Sequence, residues 1–216
     1  MDTHFSGWRE GMRHYLPWFA VAVMVTAAGA AMGCVWAGIP FWILAVCATL
    51  FFRDFSRRIA LEASAVLSPA DGTVVGVEKI EQTPHYEGPA LCVSIFMSVF
   101  NVHVNRAPCD CRVHDIRYAP GAYKNAMKAE ASRVNESNAL WLDTDHGPIT
   151  VRQISGAVAR RIVCRTAPGK ILKQGEKFGM IKFGSRVEVY LPQTAAAMVK
   201  PGDKPRAGLT VLARFQ

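Results

Sequence analysis

The sequence predicts a mostly β domain, a β-rich α+β fold of barrel-sandwich type, preceded by a hydrophobic helical hairpin. Three observations lead to this prediction. No charged side chain occurs from Trp18 to Phe52, and short β-rich segments alternate with turn residues after Arg58. Half of the 216 residues are hydrophobic, which is enough apolar material for a packed core.

The uncharged run predicts the hairpin, which we assign to residues 1–60. A single membrane-spanning helix needs about 20 apolar residues, so a run of about 35 is too long for one crossing. Gly38 and Pro40 lie near its middle and are expected to interrupt a continuous helix. A cleaved signal peptide is the alternative, but the run is longer than a signal core and lacks a clear cleavage site.

Basic residues on both sides of the run predict an orientation. Arginines are the positively charged residues that flank it most closely, at Arg9, Arg13, Arg53, Arg57 and Arg58. Positive flanks favour the cytoplasmic side of a membrane. We therefore expect the hairpin to cross the inner (cytoplasmic) membrane twice or to dip into one leaflet, with the following domain in the cytoplasm.

Charge and cysteine content narrow the classes of partner. The formal net charge of +8 favours anionic partners. Lysine and arginine are scattered, without the aromatic-interleaved basic stripe of nucleic-acid-binding proteins, so no nucleic-acid partner is expected. None of the six cysteines forms a C-x-x-C pair, so a metal site is not expected. We expect the cysteines to be free thiols in a reducing compartment.

Residues 61–216 form the predicted β domain. Segments rich in β-formers between turn signals predict strands. They cover residues 73–77, 91–99, 101–105, 111–118, 139–142, 149–154, 157–164 and 186–191. One helix is predicted over 123–133, followed by a solvated helix end and loop through residue 138.

Two segments of this domain could carry chemistry. Alternation along the predicted strand 101–105 places Asn101, His103 and Asn105 on one face, a polar stripe within an apolar sequence. Buried polar groups need partners, and a ligand can supply them. Gly184-Ser185 falls between two apolar β segments, where a glycine commonly marks a bulge or a strained bend.

Five segments, in this order, resemble the short (archaeal-type) form of the phosphatidylserine decarboxylase proenzyme family. The matching pieces are residues 52–54 (Phe-Arg-Asp), 68–72 (Ser-Pro-Ala-Asp-Gly), 96–108, 156–162 and 175–192. The resemblance implies decarboxylation of phosphatidylserine to phosphatidylethanolamine. It also implies self-cleavage between Gly184 and Ser185 into a β chain, 1–184, and an α chain, 185–216. These chains would associate as a heterodimer, and any higher oligomer stays open.

The same resemblance implies the site residues. Ser185 would attack the preceding carbonyl and end as a pyruvoyl group, the cofactor, which forms a Schiff base with the substrate. His103 would be the base, because histidine ordinarily titrates near neutral pH, and Asp71 would orient it. Where the family's long form has a second histidine, this chain has Arg106, which could bind the substrate together with Asn101 and Asn105.

Two alternatives remain open at this point. The first is a membrane-tethered carrier module of the lipoyl type, supported by the turn at 68–72. The second is a pyruvoyl decarboxylase of a soluble amino acid, against which the apolar hairpin argues.

Overall fold

The computed structural model describes residues 5–83, 85–86, 88–157, 161–182 and 184–216. They divide into two compact units. Ser6–Phe55 form one unit, and Ser56–Gln216 together with Phe5 form the other.

The first unit is a helical hairpin, as predicted. Helix α1 covers Gly7–Ala31, a 3-10 turn covers Val35–Gly38, and helix α2 covers Ile39–Phe51. The break lies earlier than Gly38 and Pro40, because α1 already ends at Ala31 and Gly33 turns the chain with a φ of 76°. Pro40 lies in the first turn of α2, where its missing N–H leaves no helical hydrogen bond unmade.

Helix α1 begins before the apolar run and includes its arginine-bearing flank. It is long and apolar enough to cross a membrane, and it is the only helix among the described residues that passes this test. Helix α2, with 13 residues, is shorter than the roughly 20 that a perpendicular crossing requires. The packing of α2 on α1 includes a hydrogen bond from Trp42 Nε1 to Thr26 Oγ1 of 3.1 Å.

The second unit is built from antiparallel β-strands, numbered along the chain. The main sheet has seven strands in the order β2 (Thr73–Ile80), β3 (Ala90–Met97), β11 (Ser185–Pro192), β7 (Gly147–Ile154), β6 (Ser137–Thr144), β5 (Cys111–Ala119) and β9 (Ile171–Leu172). A second sheet has the order β4 (Val104–Arg106), β10 (Lys177–Lys182) and β8 (Arg161–Cys164). A third has the order β1 (Ala65–Leu67), β13 (Val211–Arg214) and β12 (Ala196–Ala197).

The mostly β fold is thus confirmed, with two local corrections. Only Val104 and Asn105 of the predicted strand 101–105 lie in a strand, which is β4 (Val104–Arg106), because residues 99–101 form a turn after β3. The predicted helix 123–133 is wrong, since the only helix in that described stretch is α3 (Ala131–Val134). Of the predicted strand 157–164, residues 158–160 lie outside the described residues.

Strand β11 occupies a central place in the seven-stranded sheet. All eight of its residues pair with β3, and five pair with β7. Its alternate residues Val187, Val189 and Leu191 belong to the buried apolar core. The intervening residues, which include Arg186 and Glu188, project from the other face.

Candidate active site

Ser185 is the first residue of β11 and is fully buried. It pairs with Met97, the last residue of β3, and its Oγ lies 3.3 Å from the Met97 sulfur. Because a thioether is only a weak hydrogen-bond acceptor, the hydroxyl is not tied up by a strong partner there. The serine that the sequence singled out is therefore held by the sheet in a fully buried position, with its hydroxyl against a thioether.

Gly184 supplies the bend in front of this serine. Strand β10 of the second sheet ends at Lys182 and β11 of the main sheet begins at Ser185, so the chain changes sheets within two residues. Gly184 takes a φ of 62°, which costs an L-residue with a side chain roughly 1–2 kcal/mol and costs glycine little. Phe183 of the predicted cleavage segment lies outside the described residues.

His103 is fully buried beside the strand that leads to Gly184. Its carbonyl accepts a hydrogen bond from the Ile181 N–H at 3.3 Å, and its Nδ1 lies 2.9 Å from the Asn101 carbonyl oxygen. A carbonyl oxygen can only accept, so Nδ1 must carry the hydrogen. In the neutral ring the basic lone pair is then on Nε2, which makes Nε2 the atom able to take a proton.

The stripe of Asn101, His103 and Asn105 does not form by strand alternation. The Asn101 side-chain oxygen accepts hydrogen bonds from Ser98 N at 2.9 Å and Ser98 Oγ at 2.8 Å, and so closes the turn after β3. Arg106 is buried and donates from Nη1 to the Gly175 carbonyl at 2.9 Å. Asn101 and Arg106, two of the three predicted substrate ligands, thus make hydrogen bonds that stabilise the backbone.

Asn105 belongs to a buried chain of amide side chains. Gln153 donates to the Asn105 oxygen at 2.9 Å, and Asn138 donates to the Gln153 oxygen at 3.2 Å. The Asn105 amide nitrogen lies 3.9 Å from the Met97 sulfur, the atom that Ser185 Oγ contacts. The sequence prediction missed Gln153, because nothing in its own strand marks it as different from a solvent-facing glutamine.

Asp71 forms a nearly buried ion pair with Arg57. The guanidinium donates from Nη1 to one carboxylate oxygen at 2.6 Å and from Nη2 to the other at 2.8 Å. The Ala207 N–H also donates to Asp71 at 2.7 Å. Neither Arg57 nor Ala207 was predicted as a site residue, since both lie far from Asp71 in sequence. The orientation of His103 by Asp71 stays a prediction.

The segment 135–138 (Asn-Glu-Ser-Asn) is buried, whereas the sequence predicted a solvated loop. Asn135 is 3 % exposed and Asn138 is 5 % exposed. The signal that could have found them was available, because four polar residues directly precede an apolar strand segment. The prediction was wrong because it treated polarity as exposure.

The other face of β11 carries a buried ionic network. Glu188 is 2 % exposed and forms an ion pair with Arg186, with 2.9 Å between Arg186 Nε and a carboxylate oxygen. Its carboxylate accepts hydrogen bonds from Ser132 Oγ at 2.5 Å and from the Tyr190 hydroxyl at 2.7 Å. Burial, with the Glu188 charge as a further cause, raises the pKa of Tyr190 far above its usual range. This network fastens β11 to neighbouring parts of the unit just beyond Ser185.

The described part of the chain contains no cluster of potential metal ligands. There, no three His, Cys, Asp or Glu side chains come close enough together to hold a metal ion.

Comparison with known proteins decides the family. Residues 44–213 match the family model of phosphatidylserine decarboxylase. The chain belongs to the phosphatidylserine decarboxylase family. It is 48% identical over 208 residues to the phosphatidylserine decarboxylase proenzyme of Nitrosomonas europaea, covering 96% of this chain and 94% of that protein.

Other bacterial members show similar identity. The phosphatidylserine decarboxylase proenzyme of Ralstonia pickettii is 45% identical, and that of Burkholderia pseudomallei strain K96243 is also 45% identical. Each match extends over 96% of this chain and 94% of the relative. The resemblance noted from five segments is thereby confirmed, and membership of this family makes the chain a decarboxylase.

Proposed function

We propose that this chain cleaves itself between Gly184 and Ser185, converts Ser185 to a pyruvoyl group, and then decarboxylates phosphatidylserine at the cytoplasmic face of the cell membrane. The observation that carries the proposal is the left-handed Gly184 directly before a fully buried serine at the start of a central strand. A serine with little access to solvent and a flexible residue on its amino side suit an intramolecular attack.

The cleavage chemistry needs few groups. The Ser185 hydroxyl attacks the Gly184 carbonyl carbon, its proton passes to His103 Nε2, and the C–N bond breaks after the amide nitrogen is protonated. The product is an ester with a free amine on residue 185. Loss of the Cα proton then expels the Gly184 carboxylate, and hydrolysis of the resulting enamine releases ammonia and leaves the pyruvoyl group.

The residues around Ser185 suit the decarboxylation that the pyruvoyl group is proposed to carry out. The pyruvoyl ketone would supply an electron sink for the electron pair of the Cα–carboxyl bond, which breaks as carbon dioxide leaves the amino acid headgroup. Asn105 is the proposed substrate ligand best supported by contacts, because its amide chain ends beside Met97. Arg106 and Asn101 are proposed to act mainly by shaping the backbone around it. Asp71 is proposed to orient His103, and its pair with Arg57 to fix the segment before β2.

The membrane assignment rests on the hairpin unit. Helix α1 has the length and composition of a membrane span, and a basic protein is attracted to the anionic lipids of the cytoplasmic leaflet. The α and β chains are proposed to remain associated after cleavage, because β11 pairs on both sides with strands of the β chain.

Intact-mass spectrometry of the purified chain tests the cleavage. We expect two polypeptides, with the smaller beginning at residue 185 and lacking a free α-amine, and we expect hydroxylamine or borohydride to modify it. Ser185→Ala should remain one inactive chain. Ser64→Ala is the matched control and should be cut normally, because the Ser64 hydroxyl donates at 3.5 Å to the side chain of the exposed Glu62. Active protein with an intact 184–185 amide would refute the proposal.

The proposed base has its own test. We expect His103→Gln to slow cutting at least 100-fold, because general base catalysis typically contributes about 10²–10⁴-fold. His114→Gln is the control, since that ring is 61% exposed. Normal cutting of His103→Gln would remove His103 from the mechanism and leave the other assignments standing.

Substrate class is tested with the mature protein. Carbon dioxide release from phosphatidylserine in mixed micelles should exceed that from free serine or other soluble amino acids. Equal or greater release from a soluble amino acid would favour a soluble-substrate enzyme instead.

A further inference from the structure

The peptide bond proposed to be cut lies against a second glycine. A Cβ built on Gly156 would be 2.2 Å from the Gly184 carbonyl oxygen and 3.0 Å from the Gly184 carbonyl carbon. It would also be 3.2 Å from the Ala126 Cβ. Real Cβ atoms do not approach a carbonyl oxygen this closely, so the backbone at position 156 occupies the space beside that carbonyl.

Gly156 is held in place from two sides by Asn135. One Asn135 amide hydrogen is donated to the Ser155 carbonyl at 2.8 Å, and the other to the Lys124 carbonyl at 2.8 Å. The Asn135 side-chain oxygen accepts from the Lys124 N–H at 2.9 Å. Every donor of this buried amide is used, so its orientation is fixed.

A backbone bond adds to this support. The Ser155 N–H donates to the Glu136 carbonyl at 2.9 Å. The residue before Gly156 is therefore bonded through both its N–H and its carbonyl to the segment 135–136. Gly156 therefore lines the space next to the Gly184 oxygen, with Ala126 beside it, and we call these two residues the carbonyl wall.

We propose that Gly156 and Asn135 are positioning residues for self-cleavage, with Gly156 limiting the rotation of the Gly184 carbonyl so that its carbon faces Ser185 Oγ. This rests on the proposed function. In the first step an Oγ–C bond forms, the π electrons move to the Gly184 oxygen, and they return as the C–N bond breaks. The oxygen that carries the transient charge is the atom that the carbonyl wall confines.

The physical reason is alignment of the reacting atoms. An intramolecular attack is fast only when the two atoms are held near van der Waals contact with the correct approach, and a displacement of about 1 Å can cost about 100-fold in rate. A methyl group at position 156 must displace the Gly184 carbonyl or the wall, because the clash is with backbone atoms rather than a flexible side chain.

The experiment follows the cutting of freshly synthesised full-length chain with time by mass spectrometry. Gly156→Ala should be cut about 10- to 100-fold more slowly than the natural chain. The control is Gly179→Ala, where a Cβ would be 2.1 Å from the Val163 carbonyl oxygen, an equal clash on a different carbonyl. It should lower the melting temperature at least as much but slow cutting less.

Hydroxylamine shows whether the block lies before or after the ester, because it cleaves esters far faster than amides. Added during processing, it should cut the natural chain at the 184–185 ester. It should leave the Gly156→Ala chain whole, because the slowed step is the attack of Ser185 Oγ on the Gly184 carbonyl and little ester forms. Asn135→Asp is a second variant and should also be slow and resistant, because a carboxylate oxygen would face the Ser155 or Lys124 carbonyl.

The outcomes separate the two proposals. Cutting of Gly156→Ala at the natural rate, slowing no greater than in Gly179→Ala, or rapid hydroxylamine cleavage of the variant would each overturn the role of Gly156. If Gly156→Ala does not fold, Asn135→Asp decides by the same criteria. A natural chain that is active but uncut would instead refute the proposed function.

Discussion

Removal of either partner from the Arg57–Asp71 ion pair should destabilise the domain strongly. The Arg57 side chain is 10% exposed and that of Asp71 is 13% exposed, and two hydrogen bonds join them. Breaking a buried pair by removing one partner costs about 3–5 kcal/mol, because the other charge is left desolvated. We take the lower end, about 3 kcal/mol, since both side chains retain some contact with water.

The double-mutant cycle follows from this value. Arg57→Ala and Asp71→Ala should each cost about 3 kcal/mol, and the double variant hardly more, so that the coupling energy is about 2–3 kcal/mol. For a domain of this size that corresponds to a loss of about 6–12 °C in melting temperature per single variant.

The assay is denaturant and thermal unfolding in the Ser185→Ala background, where the proposed cut cannot occur and one chain is followed. Lys173 and Asp110 provide a matched pair, because their N–O distance is also 2.8 Å but their side chains are 55% and 58% exposed. Their coupling should stay below about 1 kcal/mol. A coupling for Arg57–Asp71 no larger than that of this exposed pair would refute the reasoning.

Three further predictions concern the same domain. Glu188→Ala, made in the Ser185→Ala background, should lower the free energy of unfolding by about 3 kcal/mol, because it leaves the Arg186 charge buried without its partner carboxylate. A loss under about 1 kcal/mol in urea unfolding would contradict this. Burial lowers the pKa of His85 to about 4, with the Arg152 charge as a second cause, so protonation favours the unfolded state and stability should fall as pH drops from about 6.5 to about 4. His85→Asn should flatten that fall, and an unchanged pH profile would contradict it. Burial raises the pKa of Cys111 to about 12, so iodoacetamide at pH 8 should alkylate Cys111 only after denaturation, as peptide mapping would reveal.

The sequence was most informative where one long segment decides its own structure. The apolar segments that became β3 and β11 were predicted closely, because a run of β-formers between turn residues leaves few alternatives. The hairpin was also predicted, because an uncharged apolar run of about 35 residues is too long for one membrane-spanning helix. Its break was misplaced, since proline is compatible with the first turn of a helix and the turn could be made by Gly33 instead.

Local propensity failed where side chains compete with the helix. Residues 123–133 have a helix-forming composition. The Asn125 side-chain oxygen, however, accepts a hydrogen bond from the Met127 N–H at 3.0 Å, and this bond favours a turn over a helix. Asn135 fixes the Lys124 backbone in a similar way. Such bonds offer the backbone an alternative to helical pairing.

The candidate site shows the same division. The sequence singled out Ser185 and His103 because a polar residue in an apolar segment is conspicuous, and Gly184 because a glycine between two β segments marks a bend. The partners of the site residues were not, because they come from distant parts of the chain: Arg57 bonds to Asp71, Gln153 to Asn105, and Gly156 faces Gly184. Pairings of this kind depend on the register of a whole sheet, which no single segment encodes.

The position of β11 has a consequence for the durability of the enzyme. In the uncut chain, the strand is tethered to its two neighbouring strands, which gives it a high effective concentration for pairing with them. After the proposed cut the same strand would begin at a chain end, and an opened sheet would release a short fragment into dilute solution. Recovery from heat or detergent should therefore be a property of the precursor alone, and the working lifetime of the mature enzyme should be set by how slowly its sheet opens.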